Sequence, residues 1–151
     1  MLNDVSGYDC LPGDFDPKSY KSVYCIGRSE INEDVNALWF RLTSQSDFEG
    51  APDFVDIIMV LYSRKDGTPI DACNVANSNI GFGYSYVRTD SIFNLEFDEM
   101  ENTNVTTIAI AITKDGFVSG NSETKTFAAS DAAYKESRAF ADSFIADHRK
   151  P

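Results

Sequence analysis

Histidine occurs once in this sequence, tryptophan once and cysteine three times, and each scarcity removes a class of chemistry. The single His148 lies close to the last residue, without a Gly-x-Ser-x-Gly elbow or a cysteine with a second histidine, so no Ser-His-Asp or Cys-His hydrolase is expected. Cys10, Cys25 and Cys73 form no C-x-x-C pair and, with one histidine, are too few for a structural zinc site. An odd number of thiols cannot all pair within one chain, and the expectation is three reduced, mostly buried cysteines in a cytoplasmic setting. Phosphate-cradling loops are missing as well. Gly81-Phe82-Gly83 lacks the third glycine and the following helix of a dinucleotide site, and no Gly-Lys-Ser/Thr occurs. Positive charge is scarce: 13 basic against 24 acidic side chains leave a net charge of −11. That excess disfavours neutralising a nucleic-acid backbone or docking on an anionic membrane. The apolar runs at 57–62 and 108–112 are far short of a bilayer span, and Met1 to Gly7 resemble no secretory signal.

What is present is a foldable chain. At 151 residues, with 42% hydrophobic and 13% aromatic side chains, it has the size of one domain. A chain of this length can bury roughly 70% of the surface its unfolded form exposes. Residues 1–19 are rich in Gly, Pro and Asp and read as an irregular arm. Residues 20–129 read as a β-sandwich, because short β-prone runs alternate there with turn residues. The expected strands are 22–26, ended by Gly27, then 38–43, 54–62, 80–87, 92–97, 105–113 and 123–127. The run 54–62 is apolar at nearly every position and is expected to be covered on both faces. In 105–113, Ile108, Ile110 and Ile112 share one face, while Thr107, Ala109 and Ala111 share the other. Asp66-Gly67 and Asp115-Gly116 each supply the residues of a tight hairpin turn. The fold class expected is therefore mainly β, an antiparallel β-sandwich of about seven or eight strands with one C-terminal helix over 130–149.

That helix follows from a change of period. Ala133, Ser137, Phe140, Ala141, Phe144 and His148 recur at helical spacing, with Ser130 or Asp131 as the N-cap. Its Phe140/Phe144 stripe either packs on the sandwich or meets a partner. Among possible cofactors, Ca²⁺ is the one that the residues suggest, since hard cations take oxygen ligands. Asp47, Glu49, Asp53 and Asp56 gather around Gly50 at the entry to the 54–62 strand, although their spacing is not that of an EF-hand.

The stretch from Leu38 to Asp115 resembles the TerD-like tellurium-resistance and stress-response family. The resemblance rests on Trp39 before a polar loop with Gly50, and on Asp53-Phe54-Val55-Asp56 leading into 57–62. It continues through Asp66-Gly67, Ile70-Asp71-Ala72, Phe93-Asn94-Leu95-Glu96-Phe97 and the 105–113 strand. It implies a compact β-sandwich, a bacterial or phage-infected cytoplasm and calcium ligands in acidic loops. Two departures bear on the ligands. The Asp-Leu-Asp pair of that family appears only as Val55-Asp56 after Phe54, and its Gly-Asp-Gly-Asp-Asp-Glu loop has no counterpart near 77–83. The C-terminal helix also lies outside the family pattern.

Together these features predict a non-catalytic binding or assembly module acting through a surface loop, an edge strand or the Phe140/Phe144 face. Its partner would be a protein or a second copy. No enzyme, nucleic-acid binder or membrane protein is expected. Two alternatives remain at this stage. One is a calcium-binding TerD-like module with Asp53, Asp56, Asp47 and Glu49 as ligands. The other is an acidic viral decoy that imitates nucleic acid through acids such as Asp98, Glu99 and Glu101.

Overall fold

A computed structural model describes residues 19–46, 49–78, 83–98, 103–128 and 132–149. Its strands are β1 (Ser22–Glu30), β2 (Val35–Ser44), β3 (Phe54–Ser63), β4 (Pro69–Asn77), β5 (Gly83–Val87), β6 (Ser91–Asp98), β7 (Thr103–Thr113) and β8 (Gly116–Phe127), followed by helix α1 (Ala133–Arg149). Each strand pairs with the next in antiparallel sense, in the order β1 to β8. The β4–β5 link is a single pair, Asn77 with Gly83, and it divides the meander into two four-stranded halves. The halves face one another across a shared core. Val35, Ala37, Met59, Leu61 and Val75 come from the first half, and Ile92, Ile110 and Ile112 from the second. This is the expected antiparallel β-sandwich with a C-terminal helix. The arm expected over 1–19 falls, apart from Ser19, outside the described residues.

Strand alternation explains the layers, because successive side chains point to opposite faces. In β2 and β3 both faces are apolar. Val35, Ala37, Met59 and Leu61 point between the halves, whereas Phe40, Leu42, Ile58, Val60 and Tyr62 form a second buried cluster on the outer side. In the other half, Ile92, Ile110 and Ile112 face inward while Leu95, Phe97, Val105 and Phe127 face outward, under Ala141, Phe140, Phe144 and Ile145 of α1. Both Asp-Gly pairs lie at hairpin connections, with Gly67 in the β3–β4 turn at φ +72°, whereas the β7–β8 turn is Lys114-Asp115 and Gly116, at φ +131°, opens β8.

Three elements, β1, β4 and β8, depart most from the sequence expectation. Gly27 does not end β1. The register shifts by one between Cys25 and Gly27, and the strand runs on to Glu30. Such an irregularity absorbs an extra residue without terminating the ladder. β4 is an eighth strand that the alternation conceals, since its pairing with β3 shifts at Ile57/Ile58 and again at Leu61/Tyr62. β8 begins at Gly116 instead of 123, because residues 118–126 are exposed on both faces and, apart from Val118, polar or small, which leaves no period-2 signal.

Candidate functional site

Of the acids expected as calcium ligands, the described ones, Glu49, Asp53 and Asp56, form no group that could hold a metal ion. Asp53, at the entry to β3, forms an ion pair with Lys21 at 2.8 Å. Asp56 lies two residues into β3 and accepts a hydrogen bond at 3.0 Å from the Asn74 side-chain amide of β4. Glu49 is exposed in the loop before them, and Asp47 lies outside the described residues. Among the described residues no group of three or more His, Cys, Asp or Glu side chains could hold a metal ion. Of the acids named for a decoy surface, Glu99 and Glu101 lie outside the described residues.

The aromatic stripe of α1 is placed against the sheet, the packing alternative for that face. The Phe144 ring meets Phe93 edge-on at 6.2 Å between centroids, and Phe140 lies 6.1 Å from Phe127. His148 closes the last turn. Its ring lies tilted by 37° against Phe93 at 4.1 Å between centroids, and its Nδ1 lies 2.7 Å from the Phe144 carbonyl oxygen one turn earlier. The cations Lys125, Arg138 and Arg149 stand over the Phe140, Phe97 and Tyr86 rings. The aromatic faces of this layer are thus occupied by neighbouring charges.

The free thiols are inconspicuous. Cys25 and Cys73 are both partly buried, and burial, reinforced by the nearby Asp71 charge, pushes the Cys73 thiol up to about 11. A thiol in that state is a poor nucleophile near neutral pH. Tyr20 is also shifted upward, first by burial and then by Asp56.

A different region has the character of a contact surface, and sequence reading did not single it out. β1 ends the strand order, and on it Tyr24 and Ile26 expose 57% and 54% of their surface. Farther along the same strand opens a cleft of about 470 Å³. Ser29, Glu30 and Ile31 form one wall, Trp39 lies within it, and Val87 at the end of β5 with Arg88 just after it closes it from the opposite half. The Trp39 indole N–H donates to the Ser29 hydroxyl at 3.0 Å, which fixes the ring. A Cβ at Gly27 would lie 3.7 Å from Trp39 Cδ1, an ordinary van der Waals contact, so β1 runs alongside that ring without needing glycine there. A larger and more polar cleft, about 570 Å³, lies where the β1–β2, β3–β4 and β7–β8 turns meet, between Glu33, Asp34, Arg64, Lys65 and Lys114.

The opposite edge offers less. β8 is exposed from Val118 to Thr126, but Val118 is its one large exposed hydrophobic among the described residues. The signal that could have found the β1 surface was the apolar pair Tyr24 and Ile26 continuing past Gly27. Ending the strand at that glycine hid it.

Among the described residues no helix is long and apolar enough to cross a membrane. Comparison of the chain with protein-family models, with curated proteins and with solved structures gave no match.

Proposed function

We propose that this chain is a non-catalytic binding or assembly module, of the kind suggested by the TerD-like resemblance, and that its contact surface is the β1 edge with the adjoining Trp39 cleft. The observation that carries this reading is the exposure of Tyr24 and Ile26 on a strand whose outer edge has no strand partner among the described residues. Free edges carry unpaired backbone groups, and proteins usually blunt them with charge or irregular geometry. Here the irregularity at Cys25/Gly27 is present, yet two large apolar side chains stay in water. An extended segment from a second copy or another protein would add backbone hydrogen bonds along β1 and cover both side chains. The cleft beyond, with Trp39, Ile31 and Val87 inside and Glu30 and Arg88 on its walls, would take one apolar side chain of that segment.

The calcium-binding alternative has less in its favour, because Lys21 and Asn74 already engage Asp53 and Asp56.

Light scattering and native mass spectrometry of the wild type, Tyr24→Glu and Ile26→Glu test the reading. The expected result is a defined oligomer or partner complex for the wild type that either substitution abolishes without lowering the melting temperature. A strictly monomeric wild type with no partner in pull-downs overturns it, as does an oligomer that both substitutions leave intact.

A further inference from the structure

Cations are scarce in this chain, 13 of 151 residues, yet three of them line the cleft of about 570 Å³ at one end of the sandwich. Arg64 and Lys65 come from the β3–β4 turn and Lys114 from the β7–β8 turn, while the β1–β2 turn contributes Glu33 and Asp34. Charge is therefore sorted by turn, with the acids on one and the cations on two others. None of the three cations forms an ion pair with either acid. The turns are held in place by other bonds. The Arg64 backbone N–H donates to the Asp34 carbonyl at 2.8 Å, and the Arg64 guanidinium donates to the Asn32 carbonyl at 3.1 Å. The Asn32 side-chain oxygen accepts the N–H groups of Asp34 and Val35. Asp66, next to Lys65, turns to its own loop and accepts from the N–H and hydroxyl of Thr68. The Asp115 N–H donates to the Thr113 hydroxyl at 3.2 Å. These bonds fix the turns and leave the exposed side chains of Glu33, Asp34, Lys65 and Lys114 open to a guest.

We infer that this cleft binds a small zwitterion, with its anionic end on Lys65 and Lys114, its ammonium end on Glu33 and Asp34, and an apolar middle over Ile70. The volume lies within the roughly 300–1,000 Å³ of small-molecule sites. Charge selects the class of ligand. A plain anion such as phosphate would meet both acids as well as the repulsive field of a chain with net charge −11, and a plain cation would meet three cations. A zwitterion carries no net charge, so the field neither draws nor repels it, and each of its ends finds the opposite sign. Arg64 is already engaged by the Asn32 carbonyl, which leaves the two lysines for the anionic end. Ile70 is half-buried, and its inner side packs on the inter-sheet core, so the part left at the cleft suits a short methylene chain. The site is distinct from the β1 contact surface and shares no lining residue with the Trp39 cleft.

The experiment titrates the full chain with glycine, β-alanine, γ-aminobutyrate and ε-aminocaproate at constant ionic strength, and follows backbone amide shifts by NMR. Caproate and hexylammonium, each with one charged end, serve as controls. At least one amino acid of the series should saturate the shifts of Glu33, Asp34, Lys65, Ile70 and Lys114, while both controls bind at least about five-fold more weakly. Lys65→Gln, Lys114→Gln and Glu33→Gln should each weaken that binding about two- to five-fold, the range expected for single exposed charges. Lys135→Gln on α1 should leave it unchanged. The three substituted side chains in the cleft are exposed, so the melting temperature should hold and report that each variant folds. No saturable shift with any of the four amino acids overturns the inference. So does a control that binds as tightly as they do, a set of shifts that maps elsewhere, or binding that all three cleft variants leave intact. The readout is ligand affinity, whereas the β1 contact surface is judged by oligomeric state, so either can fail without the other.

Discussion

Asp71 and Gly116 show how much of the contact between the two halves rests on single atoms. Asp71 Oδ2 accepts the Phe117 backbone N–H at 2.8 Å, and its Oδ1 accepts the Ala72 N–H at 2.8 Å. The carboxylate therefore ties β4 to the start of β8 across the sandwich. Gly116 makes this approach possible. A Cβ at that position would lie 2.7 Å from Asp71 Oδ2, and its φ of +131° is one that L-residues rarely adopt. Gly116→Ala should cost about 1–3 kcal/mol from backbone strain and displacement of the carboxylate. Asp71→Ala should cost about 1–3 kcal/mol by leaving the Phe117 N–H without its acceptor. Since the two residues touch, the double variant should lose less than the sum of the single losses. Urea denaturation of the four proteins measures this. Additive losses would mean that Gly116 and Asp71 do not act as one contact. The sequence marked Asp115-Gly116 as a turn, but the partner of that turn lies 45 positions away at Asp71, a distance that local pattern does not register.

At the scale of elements, legibility followed amphipathicity. β2, β3, β6 and β7 bury alternating or continuous apolar residues, and each was visible within a few positions of its observed ends. β8 was half-hidden because its residues from 118 to 126 touch water on both sides. β4 was hidden because two register shifts disturb its alternation. The helix was the clearest signal, yet its periodicity did not say what its stripe would meet. Phe144 contacts Phe93 and His148, and packs against the Leu95, Phe97 and Val105 cluster. It is partly buried, so Phe144→Ala should destabilise by about 1–3 kcal/mol, less than the 3–5 kcal/mol typical of a fully enclosed phenylalanine. The thermal midpoint should fall while self-association is unchanged. The reverse outcome, an unchanged midpoint and a lost complex, would assign the stripe to a partner. The candidate site was the least legible part. Tyr24, Ile26 and Trp39 become neighbours of an open cleft through the continuation of β1 past Gly27 and the arrival of Val87 and Arg88 from the other half. The second of these is a tertiary event with no local signature.

For the whole molecule, the charge of −11 acts as a field instead of a set of bonds. Basic residues are few, and Lys21–Asp53 and Arg88–Asp90 are exposed ion pairs, the latter at a loose 3.8 Å. Exposed pairs of this kind contribute little. The acidic excess is confined to residues 1–100, while 101–151 are near balance, so most of the repulsion falls on the first half of the sandwich and the segment before it. Self-repulsion of like charges destabilises a compact state, and salt screens it. The Debye length shrinks from about 30 Å at 0.01 M salt to about 10 Å at 0.1 M, which is shorter than the molecule is wide. The melting temperature should therefore rise by a few degrees over that range of NaCl. Both halves should melt in one transition, because Met59 and Leu61 share a core with Ile110 and Ile112. The same scan in CaCl₂ at matched ionic strength separates a field from a site. An equal rise is expected, since Asp53 and Asp56 are already engaged by Lys21 and Asn74. A further rise of several degrees at millimolar Ca²⁺, accompanied by heat in a calorimetric titration, would show that the acids gather around a cation after all, and the calcium-binding alternative would displace the β1 contact surface as the leading function.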